Sequence, residues 1–290
     1  MPAAWAERAP AKVNLTLRVI GRRADGYHEI ESLVVFASVD DALAFTPGRS
    51  LALAVRGPTA PSAGAIADNL VLKAAHALAE RVEGLRLGRF ILSKRLPVAA
   101  GLGGGSADAA AALRLLARHN RLALDDPRLA AAARATGADV PVCLDPRPRL
   151  MRGVGEILSA PIGLPRLPAV LINPRVAVPT KDVFARLAAP QIVRLPPNEP
   201  HDCPPVDRAA LISYLRDRTN DLEPPAIALT PVIAAVLNAL QRLAGVRLAR
   251  MSGSGATCFA LFDQLKAAAA AARTLHAQYP QWWVRAAMLG

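Results

Sequence analysis

The residues best suited to chemistry sit in one glycine-rich stretch, Leu96-Pro97-Val98-Ala99-Ala100-Gly101-Leu102-Gly103-Gly104-Gly105-Ser106-Ala107-Asp108. Four of the five positions from Gly101 to Gly105 are glycine. Glycine lets a backbone approach a ligand closely and adopt φ > 0 where a tight turn needs it. Leu87–Ser93 before the stretch reads as a strand, and the alanine-rich run Ala109–Leu116 after it reads as helix. That order aims unpaired backbone N–H groups and the positive end of a helix dipole at one point, which suits a phosphate. One or two glycines would read as a ligand-free turn; four, followed by Ser106, favour the phosphate. Neither common phosphate loop fits. No lysine follows as in a Walker A loop, and Ser106 stands where a dinucleotide fingerprint needs its last glycine.

The elements that must position this loop follow from periodicity. Val13, Leu15, Leu17 and Val19 alternate along Ala9–Ile20 and predict an opening strand, with Lys12 and Asn14 on its other face. Gly21–His28 reads as a loop, followed by strands near Glu29–Ser38, Asp41–Thr46 and, more weakly, Leu51–Val55. Asp68 or Asn69 caps a helix to about Arg81. Asp126-Pro127 opens another, with Asp as cap and Pro in the first turn, and it ends before a turn at Gly137–Pro141. Pro161–Pro168 reads as a linker. Beyond it come strand Ala169–Asn173, helix Thr180 to Leu187 and a proline-rich loop, Pro190–Pro205. That loop holds His201-Asp202-Cys203, read as loop rather than metal site. Helices near Asp207–Arg218 and Thr230–Leu243 follow, then strands Val246–Met251 and Thr257–Phe262 around the turn Ser252–Ala256, helix Asp263–Gln278 and strand Trp282–Met288. This alternation predicts a second domain with helices on one side of an antiparallel sheet. The expected domains are 1–160 and 161–290.

The 290 residues, 52 % hydrophobic and 20 % charged, have room for two modest globular domains. No apolar run reaches the length of a membrane span and no apolar signal core opens the chain, so a cytoplasmic protein without a membrane partner is expected. Cys143, Cys203 and Cys258 lie too far apart for a zinc site or a disulfide framework. A net charge of +12 invites a nucleic-acid reading. Against it, the arginines are scattered and aromatics are only 4 % of residues, too few for base stacking. No nucleic-acid partner is therefore expected. Thirty arginines stand against five lysines, which draws the eye to Lys12 and Lys94 beside motifs and Lys181 after one; Lys73 and Lys266 read as solvated helix residues.

The pattern Pro97-x-x-x-Gly101-Leu102-Gly103-x-Gly105-Ser106-Ala107 resembles the phosphate loop of the GHMP kinases, the superfamily of galactokinase, homoserine kinase and mevalonate kinase. Pro10–Leu15, Gly137-Ala138-Asp139-Val140-Pro141 and Arg250–Ala256 extend the resemblance, as do Gly153-Val154-Gly155-Glu156 and Asn220-Asp221-Leu222-Glu223. It runs in order from about residue 9 to 262. Arg23-Ala24-Asp25-Gly26-Tyr27-His28 is its specific part, similar to the branch acting on a cytidine-diphosphate-linked methylerythritol. The resemblance implies an α+β, two-domain fold: a ribosomal protein S5 domain 2-like N-terminal domain that binds ATP and a ferredoxin-like C-terminal domain, with the active site between them. It also implies ATP and Mg2+ as cofactors, phosphorylation of the 2-hydroxyl of that small-molecule substrate in the non-mevalonate isoprenoid pathway, and a monomer or homodimer. A kinase for another small alcohol, or a non-catalytic nucleic-acid binder on the same scaffold, are the rival readings.

By the same resemblance, Asp139 takes the hydroxyl proton and Lys12 orients it and stabilises developing charge; a carboxylate beside a lysine stays ionised, as a base must. Pro97, Val98, Ala99, Ala100, Gly101, Leu102, Gly103, Gly104, Gly105, Ser106 and Ala107 wrap the ATP phosphates, with Ser106 near the magnesium, and Asn69 and Lys94 lie along the nucleotide. Asn14, Tyr27, His28, Thr180 and Phe184 form the substrate pocket, with Tyr27 and Phe184 stacking on opposite sides of the cytosine and His28 offering polar atoms to its edge. Taken alone, Asp139 reads equally as a turn or cap residue, Lys12 as a solvated strand-end lysine, and Phe184 as an apolar helix face. Ala99-Ala100 replace glycines that some relatives carry, which requires φ < 0 at both. No acidic residue is assigned to the metal.

Overall fold

The computed structural model describes residues 5–192 and 203–290; His201 and Asp202 and most of the proline-rich loop lie outside the described residues. Along the chain come β1 (Trp5–Asn14), β2 (Arg18–Arg22), β3 (His28–Pro47), β4 (Ala52–Arg56), α1 (Leu70–Ala79), β5 (Gly88–Ser93), α2 (Gly104–Asn120), α3 (Pro127–Thr136) and α4 (Val140–Leu144). Then follow β6 (Arg149–Gly153), β7 (Ile157–Leu158), β8 (Leu167–Asn173), α5 (Thr180–Arg186), α6 (Arg208–Arg216), α7 (Glu223–Leu229), α8 (Val232–Gln241), β9 (Val246–Met251), β10 (Cys258–Phe262), α9 (Leu265–Gln278) and β11 (Trp283–Leu289). Among the described residues, no helix is long and apolar enough to cross a membrane.

The chain divides into two compact units: Met1–Lys12, Val39–Val98 and Gly103–Pro146 form one, and Val13–Ser38, Ala99–Leu102 and Arg147–Gly290 the other. In the first unit, β5 pairs antiparallel with the second half of β3 and parallel with β4. Phe45, Phe90, Leu43 and Leu92 from these strands are buried together with Val71 and Leu78 of α1 and Leu113 and Leu116 of α2. Six consecutive residues of α2, Ala107 to Ala112, are buried, and five of them are alanine. Side chains this small let neighbouring helices come close.

In the second unit, β8 pairs antiparallel with β10 and β11, and β10 with β9. Val170 and Ile172 of β8 and Cys258, Ala260 and Phe262 of β10 share one face by the strand's period of two. They join one core with Ile233, Val236 and Leu240 of α8 and Ala268 and Leu275 of α9. This is the antiparallel, helix-covered sheet that the sequence predicts.

Four local expectations change. The opening strand breaks between Asn14 and Arg18, because Thr16 and Leu17 take other partners: the Thr16 carbonyl accepts from Ser32 Oγ, its Oγ1 accepts from Leu33 N, and Leu17 N donates to Thr219 O. The two strands expected across Glu29–Thr46 are one 20-residue strand. Val39-Asp40 is the expected break, yet the strand runs through it, and the buried Asp41 carboxylate beside it finds backbone donors in Arg95 and Leu96. The Gly137–Pro141 turn leads into the short α4. Finally α7 was hidden by Pro224-Pro225, which sit in its first turn, where proline lacks no needed N–H.

Candidate active site

The loop between β5 and α2 ends at Gly103, which caps α2 in the left-handed conformation, φ 59°. The first turn of a helix leaves its N–H groups without intrahelical acceptors, so those of Gly104, Gly105 and Ser106 point out of the end of a 17-residue helix. A Cβ at Gly103 would lie 3.3 Å from Lys12 Cβ, and one at Gly104 3.3 Å from Lys94 Nζ. Glycine here keeps the cradle open and lets the lysines approach from below.

Lys12 stands against this helix end. Its Nζ is 2.9 Å from Asp139 Oδ2, with the lysine side chain 5 % exposed and the aspartate 33 %. Asp139 occupies the N-cap position of α4, but its side chain makes no capping bond. The cap reading fails, and the carboxylate is turned to the lysine instead. Nor is Lys12 solvated. Arg114 of α2 donates to Cys143 O at the end of α4, bracing the two helices that carry the cradle and the carboxylate.

Lys94 lies under the loop and is already engaged. Its Nζ is 2.5 Å from Asp41 Oδ2 and 2.6 Å from Asp108 Oδ2, all three residues buried. Burial pulls the Lys94 pKa down, but the two carboxylates outweigh it and hold it above its ordinary value. Burial pushes the Asp108 pKa up to about 7, against the pull of Lys94. Asp108 Oδ1 has no hydrogen-bond partner among the described residues. The cluster ties β3, the end of β5 and the start of α2 together, at both ends of the glycine loop. Asn69, expected along the nucleotide, caps α1 by accepting from Val71 N at 3.0 Å.

In the second unit, Ala99 has φ 50°, so the expectation of φ < 0 there is wrong: an exposed alanine is held in the left-handed region that glycine favours. Gly101, φ 72°, has its carbonyl accepting from Ser252 Oγ at 2.9 Å, and a Cβ there would fall 2.2 Å from Ser252 O. The side chains of Pro97, Ala100, Leu102 and Ala107 are buried and that of Val98 half-buried, leaving backbone as what this stretch can offer a ligand. Asn14 is buried, donates to Ser32 Oγ at 2.7 Å, and its Oδ1 is without a partner among the described residues. Thr180 Oγ1 lies 2.8 Å from Ser254 Oγ.

His28 and Phe184 stack directly on one another, ring centroids 4.8 Å apart and planes 28° apart, while Phe184 also packs against the core. Tyr27 is 64 % exposed. The expected sandwich of Tyr27 and Phe184 about a base is therefore not preformed; His28 is what Phe184 covers. Burial, aided by Arg22, lowers the His28 pKa and favours a neutral imidazole with one donor and one acceptor.

Sequence reasoning missed Asp41 and Asp108. The available signal was an acidic residue set among alanines that all face inward, Ala107-Asp108-Ala109. An acid buried in such a run needs a cation, and Lys94 is the one supplied.

Comparison with known proteins fits this geometry. The family described as GHMP kinases N terminal domain matches residues 69–145, and GHMP kinases C terminal matches residues 201–281. A 4-diphosphocytidyl-2-C-methyl-D-erythritol kinase of Xanthobacter autotrophicus is 61 % identical over 97 % of this chain and 98 % of its own length. One of Rhodopseudomonas palustris is 57 % identical over 98 % and 96 %. The crystal structure of a 4-(cytidine 5'-diphospho)-2C-methyl-D-erythritol kinase superposes with a TM-score of 0.77 at 36 % identity, covering 99 % of both chains. A homoserine kinase from Cytophaga hutchinsonii, 18 % identical with a TM-score of 0.67, shares the fold and covers 100 % of this chain and 95 % of its own. With its cradle, its lysine–aspartate pair and relatives aligned over nearly their whole length, this chain belongs to the 4-diphosphocytidyl-2-C-methyl-D-erythritol kinase family of the GHMP kinases.

Proposed function

We propose that this chain transfers the γ-phosphoryl group of ATP to the 2-hydroxyl of 4-diphosphocytidyl-2-C-methyl-D-erythritol, the cytoplasmic kinase step of non-mevalonate isoprenoid synthesis. The observation that carries the mechanism is the pair Lys12 Nζ–Asp139 Oδ2 at 2.9 Å, beside the open N-terminus of α2. Phosphoryl transfer needs little covalent help from a protein; it needs the acceptor oxygen aligned and the charge on the transferring group neutralised. The N–H groups of Gly104, Gly105 and Ser106 bind phosphate oxygens. Asp139, the more exposed partner, takes the proton from the acceptor hydroxyl as the new P–O bond forms and the bond to ADP breaks. Lys12, fixed from behind by burial, holds Asp139 in place and stabilises charge building on the oxygens.

Among the described residues, no group of three or more His, Cys, Asp or Glu side chains could hold a metal ion. The side chain that would hold Mg2+, an ion that favours phosphate and water oxygens over an all-protein cage, is the Ser106 hydroxyl in the first turn of α2. When bound, it would supply positive charge against the transferring phosphates. Tyr27 stacks on the cytosine and His28, backed by Phe184, hydrogen-bonds its edge; Asn14 and Thr180 complete the pocket. Residues 1–160 carry the ATP loop, Lys12 and Asp139, and residues 161–290 complete the substrate pocket.

The test is ADP release with Mg2+ and ATP, comparing the cytidylyl compound with homoserine, mevalonate and galactose. Turnover with the cytidylyl compound alone is expected; turnover with another alcohol instead would overturn the substrate reading. Asp139→Asn is expected to abolish turnover while ATP still binds, and near-normal turnover would remove Asp139 from its role.

A further inference from the structure

The Asn220-Asp221-Leu222-Glu223 stretch has no part in the chemistry above, yet the side chains of Asn220 and Glu223 converge on the turn that touches the glycine loop. Asn220 is 3 % exposed and every hydrogen-bonding group on its amide is used. Nδ2 donates to Met251 O and to Gly253 O, each at 2.8 Å, and Oδ1 accepts from Leu222 N at 3.0 Å. Glu223 Oε2 accepts from Met251 N at 2.8 Å. These bonds hold the backbone on both sides of Ser252. Ser252 Oγ donates to Gly101 O and accepts from Asn14 N. Thr257 N donates to Ala100 O, which fixes the preceding residue of the loop. The backbones are in contact: a Cβ on Gly253 would lie 3.1 Å from Gly101 O.

We propose that Asn220 and Glu223 are positioning residues for ATP: they set the Ser252 turn, and through the Ser252 hydroxyl they hold the Gly101 end of the phosphate loop in its left-handed conformation. An amide is required at position 220. Only a side chain with two donors on one nitrogen and an acceptor beside it serves two carbonyls and an N–H at once. An aspartate has the same shape but would set a carboxylate oxygen against both carbonyls. The inference deepens the kinase reading and rests on it for the identity of the nucleotide.

The experiment measures kcat and KM for ATP and for the cytidylyl substrate in the wild type, Asn220→Asp, Ser252→Ala and the double variant, together with Mg-ADP affinity by calorimetric titration without the alcohol. Asn220→Asp is expected to raise KM for ATP and the Kd for Mg-ADP by about tenfold, the size of one lost buried hydrogen-bonding arrangement. KM for the cytidylyl substrate should stay within about twofold. Ser252→Ala, which also frees Asn14 N, is expected to raise the Kd for Mg-ADP likewise, and the double variant to be little worse than either in Mg-ADP affinity, since both reach the loop through the Ser252 bond to Gly101. A purely structural Asn220 would lower thermal stability while leaving KM for ATP and Mg-ADP affinity unchanged, and that result overturns the proposal. Multiplying effects in the double variant overturn it too. If Asn220→Asp does not fold, Ser252→Ala, which leaves the Asn220 bonds in place, decides by its own effect on Mg-ADP affinity. Wild-type protein that binds Mg-ADP but does not phosphorylate the cytidylyl compound would refute the substrate reading, and the titrations would still judge this one.

Discussion

Replacing Lys94 by methionine separates two roles that one lysine beside a phosphate loop can play. The methionine side chain would fill the space of the aliphatic stem and remove only the charge. In the folded chain that charge lies between Asp41, with no side-chain exposure, and Asp108, 3 % exposed. Removing one partner of a buried ion pair costs about 3–5 kcal/mol, because the other charge is left uncompensated. Asp41 keeps the backbone N–H groups of Arg95 and Leu96. Asp108 keeps nothing comparable, with Oδ1 already unpartnered, but its pKa near 7 lets it neutralise itself by taking a proton. The expected loss at pH 7 is therefore at the lower end, about 3 kcal/mol, or a fall in Tm of about 6 °C or more for a chain of this size. Adding Asp108→Asn removes the stranded carboxylate and should recover about 1–3 kcal/mol, a coupling that a double-mutant cycle in urea reads directly. A Lys94→Met chain with unchanged Tm and a KM for ATP raised tenfold would refute the reasoning. It would mean that the ammonium serves the nucleotide rather than the two aspartates.

Ala99→Gly should stabilise the chain by about 0.5–1 kcal/mol, since it relieves φ 50° at an exposed site with no packing to lose; a lower urea midpoint would contradict that strain. Between about pH 4 and pH 7 the folded chain keeps on Asp108 a proton that the unfolded chain has released, so stability falls as pH rises through that window. Asp108→Asn should flatten this slope in urea unfolding series, and parallel curves for the two proteins would remove Asp108 as its source. Tyr27→Ala should raise KM for the cytidylyl substrate about tenfold, the worth of one stacked base, with KM for ATP nearly unchanged. An equal rise in both would take the base away from Tyr27.

The sequence alone determined what is local. Strand, glycine turn and helix around Gly101–Ser106 are dictated by backbone freedom, by a run of alanines and by the need of a helix to start somewhere. The succession of strands and helices from Ala169 to Met288 specified a half of the molecule with helices covering an antiparallel sheet. Motif types named the family, and with it Lys12 and Asp139, though neither residue could be distinguished from a surface lysine or a capping aspartate by its neighbours in the chain. That distinction belongs to tertiary structure. Asp139 stands at a cap position and does not cap, because Lys12, 127 positions earlier, offers a charge at 2.9 Å. Lys94 could not be recognised as engaged until Asp41 and Asp108 were brought to it from a strand and a helix. Ala99 shows the same limit from the other side. Its left-handed φ is imposed on the loop from outside, by bonds such as Thr257 N to Ala100 O and Ser252 Oγ to Gly101 O, and nothing in an alanine's own preferences foretells it. Side-chain type and spacing fix which elements form; which charge meets which, and which backbone is held against its preference, depends on residues far apart in sequence meeting where water is excluded.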